Sequence, residues 1–194
     1  MRCIRLNSSD FGRICKLTNR TDKNSYAASL TVPHKVITAS LTHGRKYEKI
    51  AVESFIKETS LAVKACGNVI WNECPFLASS PDRLVEEDAT LEVKCPFKSK
   101  DMVITTTTVP YLSFDESGNF YLNESHQYYY QVQGQLLCTG RNKSYFCIFT
   151  HKDVKIINIY RNNKFITDMI GHLSKFYYEH FQHAVLKRYF YKTK

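Results

Sequence analysis

Ser80-Pro81-Asp82-Arg83-Leu84, followed a few residues later by Leu91-Glu92-Val93-Lys94-Cys95-Pro96-Phe97, is the stretch on which the fold turns. Written as a strand, the second segment projects Glu92 and Lys94 from one face, inside an apolar frame of Leu91, Val93 and Phe97. Residues 82–94 predict a hairpin turning through Glu86-Glu87-Asp88, so Asp82 would come from the neighbouring strand and bring a second carboxylate beside Glu92. A carboxylate and an ammonium set among apolar side chains are costly unless they serve each other or a site. The plain alternative is a hairpin carrying a surface ion pair. Converging carboxylates are ligands for hard cations, and Mg²⁺ usually takes one or two of them with waters and phosphate oxygens. Lys94 would then position or deprotonate a metal-bound water, or stabilise charge developing on phosphorus. These are the parts needed for metal-assisted phosphodiester hydrolysis.

Outward from this segment the pattern is a mixed one. Residues 45–65 predict a helix, with Tyr47, Ala51, Phe55 and Ala62 near helical spacing. Glu48 lies three, four and seven residues before Ala51, Val52 and Phe55, so it shares their face, either as a site residue or as an acid complementing the helix dipole. Residues 67–71 and 91–93 read as short strands, with Pro75 and Pro81 between them. A second helix is predicted over 125–138 with Ser125 as its cap; on it Gln131 shares a face with Tyr128 and Gln135, or simply faces solvent. Residues 144–150 and 154–160 are rich in β-branched and aromatic residues and predict two strands joined near 151–153. The longest helical pattern covers 163–189, with Phe165, Met169, Leu173, Phe176, Tyr177, Phe181 and Val185 on one stripe. Helix, strands, helix, strands, helix is an α/β order, and no repeat or low-complexity linker divides residues 1–194, which predict a single domain.

Composition narrows the function. The 43% hydrophobic and 13% aromatic content is too rich for disorder, and no apolar run is long enough to span a bilayer or to serve as a secretory signal. Seven scattered cysteines without a CxxC predict reduced thiols in an intracellular protein, neither a disulfide framework nor a zinc ribbon. No phosphate-binding G-x-x-x-x-G-K-[ST] is present, which excludes that class of ATP-driven motor. The net charge of +9 is uneven: residues 1–49 carry +7, residues 50–92 carry −5 and residues 93–194 carry +7. Basic flanks suit a polyanion, and the acidic middle is where a phosphate backbone would need a cation to approach. His180-x-x-His183 lacks an evident third ligand, so surface histidines are the expectation.

Taken together, Ser80-Pro81-Asp82, the ten-residue step to Glu92 and Glu92-Val93-Lys94-Cys95-Pro96-Phe97 resemble the signature of the lambda-exonuclease and YqaJ-like viral recombinase family of PD-(D/E)XK nucleases. Residues 44–51 are similar to its G-x-x-x-E-x-x-A helix, residues 128–136 to its Q-V-Q helix, and residues 2–9 with Phe11-Gly12 to a further block. The resemblance implies a restriction-endonuclease-like fold, a central mixed β-sheet flanked by helices. It implies that Asp82, Glu92 and the Val93 carbonyl bind Mg²⁺ or Mn²⁺, two ions in all, with Glu48 at the metals or their water shell. Lys94 would act on the nucleophilic water, and Gln131 would orient that water or the scissile phosphate. Arg2, Ser9, Ser80 and Lys100 would form a pocket for a DNA 5′-phosphate. Arg83 stands where the family usually has Gly: a turn needing positive φ would be strained there, although a basic residue could instead contact DNA. The implied activity is a 5′→3′ exonuclease on double-stranded DNA ends, acting in recombination or repair. The alternatives are a structure-specific endonuclease or an inactive DNA-end-binding module. A trimeric assembly, a single-strand-annealing partner, and a nuclear location if eukaryotic or a cytoplasmic one otherwise complete the expectation.

Overall fold

Strand β6 (Ala89–Lys94) is buried from Ala89 through Val93, as a strand covered on both faces must be. A computed structural model of the chain describes residues 2–33 and 37–191, with Arg2 in backbone only. β6 is the middle of a five-stranded sheet ordered β10-β9-β6-β5-β2. β2 (Val63–Ala65), β5 (Arg83–Val85) and β6 run antiparallel in turn, β9 (Lys143–Phe149) lies parallel to β6, and β10 (Val154–Tyr160) returns antiparallel. The hairpin through Glu86-Glu87-Asp88 is therefore present, as are both later strands, within a residue of the sequence reading.

Alternation along the strands sorts residues onto two cores. Ala89, Leu91 and Val93 pack with Ala51, Val52 and Phe55 of helix α3 (Ala39–Thr59). The opposite face carries Phe146, Ile148, Ile157 and Ile159 against Val132 and Leu136 of helix α4 (Gln127–Thr139). Glu92 and Lys94 fall on the α4 side by the same alternation. Burying Leu91 or Phe55, both wholly enclosed, contributes roughly 1.5–3 kcal/mol each.

A smaller sheet, β1 (Leu6–Asn7), β4 (Leu77–Ser79) and β3 (Val69–Ile70), pairs β1 parallel to β4 and β3 antiparallel to it. It feeds helix α1 (Ser8–Cys15), which lies close on α4. A Cβ at Gly134 would sit 2.6 Å from the Phe11 ring and 3.0 Å from the Ser8 Cβ, so only glycine permits this approach. Helix α2 (Lys23–Leu30) and the hairpin β7 (Leu112–Phe114) with β8 (Phe120–Leu122) complete the middle of the chain.

Three expectations need correction. The helix predicted over 45–65 runs 39–59: the Thr38 side chain caps its start and Ser60, at φ 59°, closes it, leaving Ala62 outside. α4 is capped by His126 rather than Ser125. The pattern over 163–189 is α5 (Asn163–Phe176) and α6 (Gln182–Tyr189) joined by a π-helical turn over Tyr177–Phe181. Phe176 and Phe181, both buried, are five apart and would point apart on an α-helix; the wider turn aligns them.

Candidate active site

The end of β6 delivers Glu92 to α4, and what it meets there is all polar. Glu92 is 3% exposed. Its Oε1 accepts from Lys94 Nζ at 2.5 Å and from Gln131 Nε2 at 2.7 Å, while Oε2 accepts from Gln135 Nε2 at 2.5 Å. Lys94 Nζ also donates to Gln131 Oε1 at 3.2 Å. Gln131 and Gln135 stand one helical turn apart on α4, so one carboxylate is held by donors from two elements. Such charge-assisted bonds are roughly twice as strong as neutral ones.

Asp82 enters from the residue before β5. Its backbone N–H donates to Leu91 O at 3.1 Å, and its Oδ2 accepts from the Val93 N–H at 2.7 Å, which fixes it across the hairpin from Glu92. Glu48 comes from α3, on the face shared with Ala51, Val52 and Phe55. The Arg83 guanidinium donates to Glu48 Oε1 at 3.4 Å and to the Asp82 carbonyl. Arg83 lies in an ordinary strand; among the described residues the non-glycine positions of positive φ are Ser60 and Glu86, so the strain considered for Arg83 does not arise.

Three carboxylates thus face two cations. Lys94 pairs with Glu92 and Arg83 with Glu48, whereas among the described residues Asp82 has a backbone donor and a more distant ammonium but no ion pair. Burial, and then the charge of Glu92, push the Asp82 carboxyl up to about 8. Burial alone would lower the Lys94 ammonium, but the facing Glu92, with Tyr128 and Asp82, outweighs it and holds Lys94 charged above its usual range. A divalent cation would relieve the repulsion around Asp82, and the donors offered, two carboxylates, the Val93 carbonyl and nearby Glu48, are the oxygen set such ions prefer. Among the described residues no three His, Cys, Asp or Glu side chains form a ready-made cage. The rest of a coordination shell would come from water and phosphate.

Two cavities meet at this point. The larger, about 720 Å³, is lined by Asn7, Ser8, Ser9, Ser80 and Arg83 among others; the smaller, about 300 Å³, by Glu92, Val93, Lys94, Tyr111 and Tyr128; Glu48 and Asp82 line both. Ser9 and Ser80 are therefore brought together beside Asp82. The Arg2 side chain lies outside the described residues. Lys100 is not on either cavity wall: its Nζ pairs with Asp101 at 3.1 Å and sits over Phe97. His180 Nδ1 meets Asn24 Oδ1 at 2.7 Å and His183 is exposed; among the described residues no third metal-ligating side chain joins them.

Sequence reading missed the grip of Gln135 on Glu92 and the contributions of Asn7 and Ser8. Gln135 carried a signal, since it recurs one turn after Gln131; Asn7 and Ser8 carried none beyond the resemblance of residues 2–9 to a family block, which pointed to Ser9.

A family model, the YqaJ-like viral recombinase domain, matches residues 1–142. No curated protein sequence matches the chain. Among solved structures, the alkaline exonuclease LHK-Exo of Laribacter hongkongensis is similar over 96% of this chain and 93% of its own, at 23% identity and a TM-score of 0.75. LHK-Exo in complex with dAMP gives a TM-score of 0.76 at the same identity. A phage-related exonuclease from Haemophilus somnus 129PT covers 90% of this chain and 94% of its own at 14% identity, with a TM-score of 0.60. These likenesses establish the α/β architecture as a PD-(D/E)XK-like one.

Proposed function

The chain belongs to the YqaJ-like viral recombinase family, and we propose that it is a divalent-metal-dependent deoxyribonuclease that removes nucleotides from the 5′ ends of double-stranded DNA. The observation that carries this reading is the buried constellation Asp82, Glu92, Lys94 and Gln131, in which, among the described residues, no cation pairs with Asp82. A cation held by Asp82, Glu92 and the Val93 carbonyl, with Glu48 in its water shell, would supply Lewis-acid charge to the phosphate and the attacking water. Lys94, held charged, would set an ammonium against the charge that develops on phosphorus and would hydrogen-bond the attacking water. Gln131 bridges Lys94 and Glu92 and so sets the direction of both. Gln135 keeps the second Glu92 oxygen from rotating away. Ser9, Ser80 and Arg83 line the larger cavity, where they would receive a terminal phosphate.

Exonuclease rather than endonuclease is favoured by the serine hydroxyls and Arg83 that line the larger cavity beside Asp82, and by the similar LHK-Exo structure, solved with dAMP, the kind of mononucleotide an exonuclease releases. The test compares 5′-phosphorylated linear duplex DNA with covalently closed circular DNA in Mg²⁺. Release of mononucleotides from the linear DNA alone is expected. Cleavage of the circle at a similar rate would instead establish an endonuclease, and intact linear DNA across pH 7–9 would end the enzyme reading.

A further inference from the structure

Lys94 has a third neighbour that is not a hydrogen-bond partner. Its Nζ lies 4.4 Å from the centre of the Tyr128 ring. Tyr128 is on the first turn of α4, three residues before Gln131, so the ring and the Gln131 amide converge on one ammonium. The ring is itself held in place. Tyr111 meets it edge-on at 5.1 Å and 83°, His126 at 4.7 Å and 66°, and Phe146 lies 5.9 Å away. Tyr111 and Tyr128 wall the smaller cavity together with Lys94.

We propose that Tyr128 is a positioning residue, whose ring face keeps the Lys94 ammonium at the reacting phosphate when Glu92 is engaged by a cation. The inference rests on the nuclease reading of this site. Its reason is a competition for one atom. Glu92 Oε1 holds both Lys94 and Gln131, and it belongs to the carboxylate that a metal would take. Once that oxygen is shared, Lys94 keeps the Gln131 carbonyl and the Tyr128 ring. Lys94 is a flexible side chain, 19% exposed and beside an open cavity, and without a second anchor it would turn into that space. Cation–π contacts strengthen as the cation is desolvated, and this one is largely enclosed.

The test measures steady-state release of nucleotides from linear duplex DNA in Mg²⁺ for Lys94→Ala and three Tyr128 variants. Lys94→Ala is expected to abolish release; if it does not, the nuclease reading of the site fails before Tyr128 is in question. Tyr128→Phe keeps the ring face and is expected to hold wild-type kcat. Tyr128→Leu and Tyr128→Met remove it and are expected to lower kcat about 3- to 30-fold, with KM for the DNA end unchanged. Met is unbranched and flexible and adapts to a gap that the branched Leu cannot fill, so it decides the matter should the Leu variant fail to fold. The proposal is overturned if, with Lys94→Ala inactive, the folded Met or Leu variant keeps wild-type kcat. It is equally overturned if KM rises while kcat stands, which would make the ring a stacking surface for a nucleobase, or if Tyr128→Phe loses as much as Tyr128→Met.

Discussion

The two ends of the β5–β6 hairpin are both acidic, and they use their acids in opposite ways. At the turn, Glu86 Oε1 accepts from the Ala62 N–H at 2.8 Å, and Asp88 Oδ1 accepts from the Asn142 backbone N–H and side-chain amide, each at 3.1 Å. Arg141 closes the same turn by donating to the carbonyls of Val85, Glu86 and Ala89. These acids are exposed, each has a donor, and they tie loops to the sheet. At the other end Asp82 and Glu92 are crowded among apolar strands, and Asp82 is pushed up to about 8 by burial and by Glu92. Negative charge alone does not mark a site. Charge placed where water and counterions cannot relieve it does.

The comparison breaks most sharply on substitution of the crowded end. Asp82→Asn or Glu92→Gln keeps shape and removes a carboxylate from the proposed cation site. The expected result is a loss of nucleotide release of about 10²- to 10⁴-fold, with no fall in thermal stability for Asp82→Asn, because a poorly solvated carboxyl has been removed. A rate assay and a melting curve on the same preparation check both halves. Next in size is Arg141→Ala, which leaves three carbonyls without their donor. We expect about 1–3 kcal/mol of destabilisation by denaturant titration and an unchanged rate well below the unfolding temperature. The smallest effect is Asp88→Ala, an exposed acceptor, at about 0.5–1.5 kcal/mol and again no change in rate. A slow but stable Asp88→Ala enzyme would mean that the turn takes part in the chemistry and that the division between the two ends is wrong.

Much of this was readable without coordinates. The E-x-K alternation of Glu92 and Lys94, and the turn residues between Asp82 and Glu92, define the hairpin and its polar face by local rules alone. Glu48 stood out as an acid aligned with an apolar stripe and Gln131 as a polar residue beside Tyr128 and Gln135, but the helix dipole and a solvent-facing glutamine explained them equally well until the resemblance gave them a role. Ser8 and Asn7 were not legible, because α1 is eight residues long and is held by the close approach of Gly134 to Phe11, a contact 123 residues apart in sequence. The π-helical turn at Tyr177–Phe181 escaped for a related reason: it answers to which phenylalanines the core accepts, not to the local pattern. Lys100 was assigned to the phosphate pocket through the resemblance; Asp101 and Phe97 draw its side chain elsewhere.

The central claim is that the crowded carboxylates are a divalent-cation site and the turn acids are not. Mn²⁺ binding followed by electron paramagnetic resonance tests it on the whole chain without reference to activity. The wild-type protein should bind Mn²⁺, Asp82→Asn should lose at least one ion or weaken about tenfold or more, and Glu86→Gln with Asp88→Asn should bind as the wild type does. Equal binding by wild type and Asp82→Asn, or loss of binding in the turn variant, would contradict the account.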